Sequence, residues 1–291
     1  MGMKTKPRDL GAMLLFCAAL FWSLSGFLVK SVDWRGPSLS TLRGIIAFFV
    51  TLSMVRTLKI RLTPVKIING ICYFLQGLLL ISANKFTTAG NATVLQNTSP
   101  IYIILLNAIL LKKKPSRLEV WVSILLFAGI AMAFAGSFSA GGTLGNLLAL
   151  VSGLFYAGVF FTNRLEGANP LESLLIGNGL YFLLIPILFF DPAVPQTSLK
   201  DLFYILAFSL LSGCIAWLCF SKGIQSTPAL RANLITMAEP VLSPIWTFFL
   251  LGERMDPLSL LGCVLVLVTL AVYNIVFEWI CKKQQNPADT V

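Results

Sequence analysis

The chain has no histidine, and only 12% of its 291 residues are charged. Soluble domains carry about 25% Asp, Glu, Lys and Arg, so a chain this short of charge and 57% hydrophobic cannot keep its apolar surface dry in water. With a mean hydropathy of +0.84, its solvent is the bilayer. The missing histidines remove the commonest metal ligand and general base. The six cysteines (Cys17, Cys72, Cys214, Cys219, Cys263, Cys281) form no CxxC and lie mostly in apolar segments, so they read as small core hydrophobes. No GxxxxGK[ST] loop is present, which excludes ATP as an energy source within the chain, and no HExxH or GxSxG offers a metal or a nucleophile. Neither a cofactor nor a metal is expected.

The formal charge of +10 would suggest nucleic acid as a partner in a soluble protein. Here most Lys and Arg stand in short loops beside apolar runs and report topology instead. Because every backbone N–H and C=O must be satisfied internally in hydrocarbon, only helices or a closed barrel can span it, and the uninterrupted apolar runs select helices. A span needs about 20 mainly apolar residues. That length places helices at about 10–30, 38–56, 65–84, 90–111 and 117–136, then at about 144–164, 171–190, 201–222, 229–251 and 257–280. Turn residues punctuate them, as in DWRGPS, KKKPS, GANP and ERMDP.

Sixteen Lys and Arg fall on the side shared by the two termini and five on the other, with Arg43 inside a helix. Both termini are therefore predicted to be cytoplasmic. The apolar run after MGMKTKPRDL continues to Val29 without a small-residue cleavage site, so it reads as an uncleaved first helix.

Sliding the chain on itself by 140 residues lays Thr87 on Thr227, Ala92 on Ala232 and Pro100 on Pro240. The two blocks occupy the fourth and fifth positions in successive runs of five helices. Five spans per repeat invert the second copy, a plan common among secondary carriers. The expected division is 1–140 and 141–291. The first helices also correspond, LFWSLSGFLVK with LFYAGVFFTNR, which sets Trp22 opposite Tyr156 and Lys30 opposite Arg164.

Intramembrane ionisable groups are costly, and each is a functional candidate. Glu239 lies about ten residues into the ninth helix, roughly 15 Å along it and close to the bilayer centre. Asn233, Thr236 and Ser243 share its helix face and form a polar stripe. In the first repeat the stripe reads Thr93, Gln96 and Ser99 with Asn97 beside it, so Ser99 is the uncharged counterpart of Glu239. Pro100 and Pro240 each remove a backbone donor and free a carbonyl one turn earlier, loosening both helices as hinges. Glu239 reads as the group that binds substrate or exchanges a proton. Its structural alternative is a protonated acid bonded to a neighbouring helix. Trp22, Tyr156 and the Tyr73–Gln76 pair are candidate pocket walls. Arg43 lies near enough to the outer end of the second helix to snorkel into headgroups, and Lys85 and Lys222 lie at helix ends where anchoring is expected.

FWSLSG on helix one, Arg43 in STLRGIIAFF, NKFTTAGNATVLQNTSP before helix four, and STPALRANLITMAEPVLSPIWTFFLLGE with its mid-helix Glu-Pro together resemble the EamA-type branch of the drug/metabolite transporter superfamily. The resemblance implies a basket-like bundle with a central cavity lined by both repeats, helices five and ten at the periphery, and metabolite export. One departure is Lys112-Lys113, where such chains often carry a second Gly-Glu. Its counterpart Glu253 is expected to be an interfacial cap. The reading is thus an all-α membrane protein that carries a small metabolite, such as an amino acid or related amine, among membrane lipids, with protons as the available coupling ion. The alternative is a membrane-embedded lipid-handling protein, a flippase or a lipid-modifying enzyme.

Overall fold

The computed structural model describes residues 7–55, 60–110, 112, 116–138, 142–163, 165–227 and 235–285. Among the described residues there is no strand. Six helices have the length and apolarity to cross a membrane, namely Leu10–Lys30, Gly36–Val55, Pro64–Phe86, Thr143–Thr162, Pro170–Phe189 and Leu199–Gly223, and two shorter apolar stretches follow at Ala238–Leu251 and Pro257–Tyr273. Phe49, Ile109, Phe127, Phe189, Phe203 and Phe249 stand out from the surface. In water such a surface would aggregate; facing acyl chains it is the expected exterior of a multi-pass membrane protein.

In chain order the helices are α1 (Pro7–Ser23), α2 (Ser25–Lys30), α3 (Gly36–Val55), α4 (Pro64–Phe86), α5 (Ala89–Gln96), α6 (Ser99–Leu110), α7 (Arg117–Phe138) and α8 (Thr143–Thr162). They continue with α9 (Pro170–Leu180), α10 (Ile185–Phe189), α11 (Leu199–Leu210), α12 (Ala216–Ser226), α13 (Ala238–Leu251) and α14 (Pro257–Gln285). Several starts have legible caps. Thr63 and Asn169 accept from N–H groups of the first turn ahead of Pro64 and Pro170, and Ser198 with Asp201 forms a capping box.

Breaks fall inside apolar segments rather than only between them. A turn at Leu24 separates α1 from α2, and Asn97–Thr98 separates α5 from α6. A tight 3-10 turn, Tyr181–Leu184, precedes α10, where Pro186 withholds a backbone donor. One π-turn, Leu211–Ile215, joins α11 to α12. Irregular backbone at membrane depth survives only where it is buried in protein or lines a cavity, so these interruptions are expected to face the interior. They are also pinned. Ser212 donates to the Phe21 carbonyl at 2.7 Å, and Trp246 donates to the Ser23 hydroxyl at 3.0 Å.

Packing joins distant parts of the chain. The most extensive contacts are α4 with α8, α7 with α14, and α1 with α12. At the α7–α14 crossing a Cβ on Gly262 would lie 2.5 Å from the Gly129 carbonyl oxygen, and one on Gly129 would lie 2.9 Å from that of Gly262. Without a hydrophobic force between helices in lipid, such close backbone approach supplies the packing. Gly262→Leu should therefore push α7 from α14 and cost about 1–3 kcal/mol, read as a fall in melting temperature of the purified protein. An unchanged melting temperature would show that this crossing does not hold the pair.

Candidate functional site

A central cavity lies where the interrupted helices meet. Trp22 and Ser25 flank the α1–α2 turn, Gln76 and Asn84 come from α4, Gln96 ends α5, and Tyr156 comes from α8. Trp217 follows the π-turn and Glu239 lies in the first turn of α13. The cavity's free volume is about 50 Å³, below that of most small-molecule sites, so the space is narrow in this conformation.

One apolar cluster, with Leu15 and Phe220, gives the cavity Trp22, Tyr156 and Trp217 as its aromatic end. Another gives it Val29, Ile81 and Phe208. The aromatic end is tightly built: Trp22 and Trp217 have ring centroids 4.7 Å apart, and Tyr73 lies edge-on to Trp217 at 4.8 Å. One side wall is a hydrogen-bonded amide pair. Gln96 donates to the Gln76 side chain at 3.0 Å and to Ser152 at 2.8 Å, while Ser152 donates to the Gln76 carbonyl at 2.8 Å.

Of the residues expected from sequence, Glu239, Trp22, Gln76, Gln96 and Tyr156 meet at this cavity. Tyr73 backs the aromatic end from behind. Ser243 and Thr93 instead pack α13 against α5, with hydroxyls 3.2 Å apart. Asn97 folds back to donate to the Thr93 carbonyl at 2.9 Å, while Ser99 and Thr236 are buried and do not line the cavity. Asn233 falls outside the described residues. The interruptions stand before both expected hinges, Asn97–Thr98 ahead of Pro100 and Met237 ahead of Pro240, and the carbonyl of Gln96, four residues before Pro100, is approached by Gly153 of α8.

Glu239 is 5% exposed, and among the described residues it has neither a hydrogen bond nor an ion pair. Tyr156 lines the same cavity. Arg43 also lines the cavity and is 7% exposed. It does not snorkel; its guanidinium stacks over Phe208 at 5.6 Å and faces the Tyr181 hydroxyl, which donates to the Phe74 carbonyl at 3.1 Å. Counting residues from the helix end gave its depth but not its facing. Distant glycines leave it room: a Cβ on Gly213 would lie 3.1 Å from Arg43 Nε, and one on Gly77 would lie 3.3 Å from its terminal nitrogen. Trp217 also lines the cavity, and nothing in the sequence separates such an aromatic from one that packs.

Lys85 does not line the cavity. It donates to the carbonyls of Val29 and Val32, placing a cation where α2 ends. Lys222 is exposed. Glu253 stands just past the end of α13, where Gly252 turns in the left-handed region at φ 66°. It pairs with Lys30 at 2.7 Å and accepts from the Ala89 N–H at 3.2 Å, while Lys30 also donates to the Thr87 carbonyl at 2.8 Å.

Residues 9–135 and 143–275 both match the EamA-like transporter family. The chain belongs to that family. Two relatives of nearly equal length are each 26% identical to it. They are the uncharacterized transporter YwfM of Bacillus subtilis, over 90% of this chain and 93% of the relative, and an uncharacterized transporter of Archaeoglobus fulgidus, over 91% and 98%. A crystal structure described only as that of a protein shares the fold, with a TM-score of 0.64 and 20% identity over 92% of this chain and 98% of that one. This EamA-like protein is thus a multi-pass membrane transporter and not an enzyme.

The Lys30–Glu253 pair ties the end of α2 to the end of α13 with side chains about four-fifths covered. Lys30→Met or Glu253→Gln should each cost about 1–3 kcal/mol, the range for hydrogen bonds to charged groups. The double variant should cost less than the sum of the two, a coupling that a double-mutant cycle on melting temperature measures. Strict additivity would mean the contact carries no energy.

Proposed function

We propose that the EamA-like chain is a secondary carrier that exports a small polar or amphipathic metabolite, an amino acid or related amine, across the cytoplasmic membrane by alternating access. The observation that carries the reading is Glu239, a carboxyl without a partner among the described residues, in a cavity whose walls come from both halves of the chain. A group placed so can bind an amine or exchange a proton as the carrier changes face. It is the chain's means of coupling to a proton gradient, since no nucleotide-binding loop is present.

Ten spans in two inverted five-helix repeats fit the packing. Under that plan α1 and α8 are equivalent first spans, and α4 and the α11–α12 segment are equivalent third and eighth spans. The contacts α1 with α12 and α8 with α4 are then the same interface made twice, each first span crossing to the opposite repeat. The α7–α14 pair joins the fifth span to the tenth. The two family matches, one per half, agree with this division.

Alternating access needs closures that can open in turn. With both termini cytoplasmic, Lys30–Glu253 lies on the outer side. Lys66–Glu172 and Asn69–Asn163 lie on the inner side, tying α4 to α9 and to the end of α8. Both sets join elements of the two halves. The lipid-handling alternative would use a broad apolar groove between α13 and α14, lined by Val241, Ile245, Phe248, Val264 and Leu267. Its acid, Glu253, is already held by Lys30, which disfavours headgroup binding there.

Glu239→Gln keeps the size and hydrogen-bonding capacity of the side chain and removes its proton. In liposomes it should insert and bind yet lose accumulation driven by a pH gradient, while Ser99→Ala keeps it. Uphill transport by the Gln variant at the wild-type rate and pH dependence would assign Glu239 a structural role. For orientation, single cysteines placed in a cysteine-free background at residues 112–117 should react with an impermeant thiol reagent only from the cytoplasmic face. Those at 137–143 should react only from outside. The opposite pattern would overturn the ten-span arrangement.

A further inference from the structure

The cavity holds an acid and a guanidinium that do not meet. Among the described residues the ion pairs are Lys30–Glu253 and Lys66–Glu172; Arg43 and Glu239 line the same cavity without joining. Both are more than nine-tenths buried. Leaving such groups unpaired in a low-dielectric interior is costly, and the fold goes to some length to keep Arg43 there. Gly213 and Gly77 leave room for its guanidinium, and Gly44 lets the Tyr181 ring lie flat against α3, where a Cβ would sit 2.1 Å from a ring carbon.

A guanidinium carries five N–H donors in a planar fork. Against Arg43 stand the face of Phe208 and one hydroxyl, and among the described residues its buried Nε has no acceptor. That fork matches a carboxylate. On Glu239 the missing partner is a cation. A simple amine entering the cavity would satisfy Glu239 and leave Arg43 unpaired, and a simple acid would do the reverse. A molecule bearing both groups satisfies both at once, with Trp22, Tyr156 and Trp217 available to wall its apolar part.

We propose that Arg43 binds the substrate's carboxylate while Glu239 takes its ammonium, so that the cavity is a two-pole site for zwitterionic amino acids rather than for amines in general. This rests on the carrier reading above and narrows its substrate class. Arg43 becomes the specificity-determining residue, because it penalises every ligand that lacks an acid group. Discrimination of this kind is large when a site's own polar group is left unsatisfied by the wrong ligand.

The test uses the purified full-length protein in nanodiscs and liposomes, with three series of probes: the twenty amino acids, their carboxamides, which keep the ammonium alone, and their N-acetyl derivatives, which keep the carboxylate alone. For the tightest-binding amino acid, both derivatives should bind at least about tenfold more weakly. Arg43→Gln should weaken the free amino acid by a similar factor and leave its carboxamide unchanged, and Arg43→Lys should recover part of the loss. The wild-type comparison needs no variant, so it decides the matter even if Arg43→Gln fails to fold. Carboxamides bound and transported as well as the free amino acids would overturn the role of Arg43 while the carrier reading stands. Absence of both binding and flux across all three series would overturn the two together.

Discussion

The structure depends on keeping an acid and a base apart in a medium that rewards joining them. In hydrocarbon, charge is tolerated where it is paired, hydrated or useful. Elsewhere this chain takes the first course: Lys30 meets Glu253, Lys66 meets Glu172, and Lys85 is wrapped by the carbonyls that end α2. At the centre it does not. Arg43 is set back on α3 by its berth of glycines, and Glu239 is fixed in the first turn of α13. The surrounding helices are interrupted at Leu24, Asn97–Thr98, Tyr181–Leu184, Leu211–Ile215 and Met237. A continuous helix has no spare backbone or width for a cavity, and the interruptions supply both.

The same interruptions bear on motion. The Leu24 turn and the π-turn are coupled, since Ser212 on the latter holds the Phe21 carbonyl beside the former and Trp246 of α13 holds Ser23. A rearrangement that turned α1 against α2 would therefore be felt by the segments that carry Trp217 and Glu239. Beside the apolar clusters, the ties at either side include ion pairs and an amide hydrogen bond, contacts that can exchange partners.

Much of the fold was legible because bilayer thickness fixes span length. Expected spans at 65–84, 144–164 and 171–190 compare with Pro64–Phe86, Thr143–Thr162 and Pro170–Phe189. Breaks near Pro100 and Pro240 were also readable, since proline withholds a donor in every context. The Leu24 turn and the π-turn carry no such mark and arise from tertiary packing. Glu239 was readable from its depth and polar neighbours, Gln96 from the matching stripe, Trp22 and Tyr156 from the repeat, and Gln76 from its spacing to Tyr73; all five line the cavity. The facing of Arg43 was not readable, because it is set by glycines on α4 and the π-turn, far away in sequence. Periodicity gave the polar stripe of Ser99, Thr236 and Ser243, but a stripe that packs one helix on another looks the same in sequence as one that lines a cavity.

The central claim is that the cavity carries its ligand across the membrane one molecule at a time, open to one side and then the other. Counterflow tests it most directly. Liposomes containing the purified protein would be loaded with each unlabelled amino acid in turn and placed in a trace of the same labelled compound. The account predicts that at least one labelled amino acid enters loaded vesicles faster than empty ones and saturates with concentration. Influx that is linear in concentration and indifferent to what the vesicles contain, for all twenty, would contradict it.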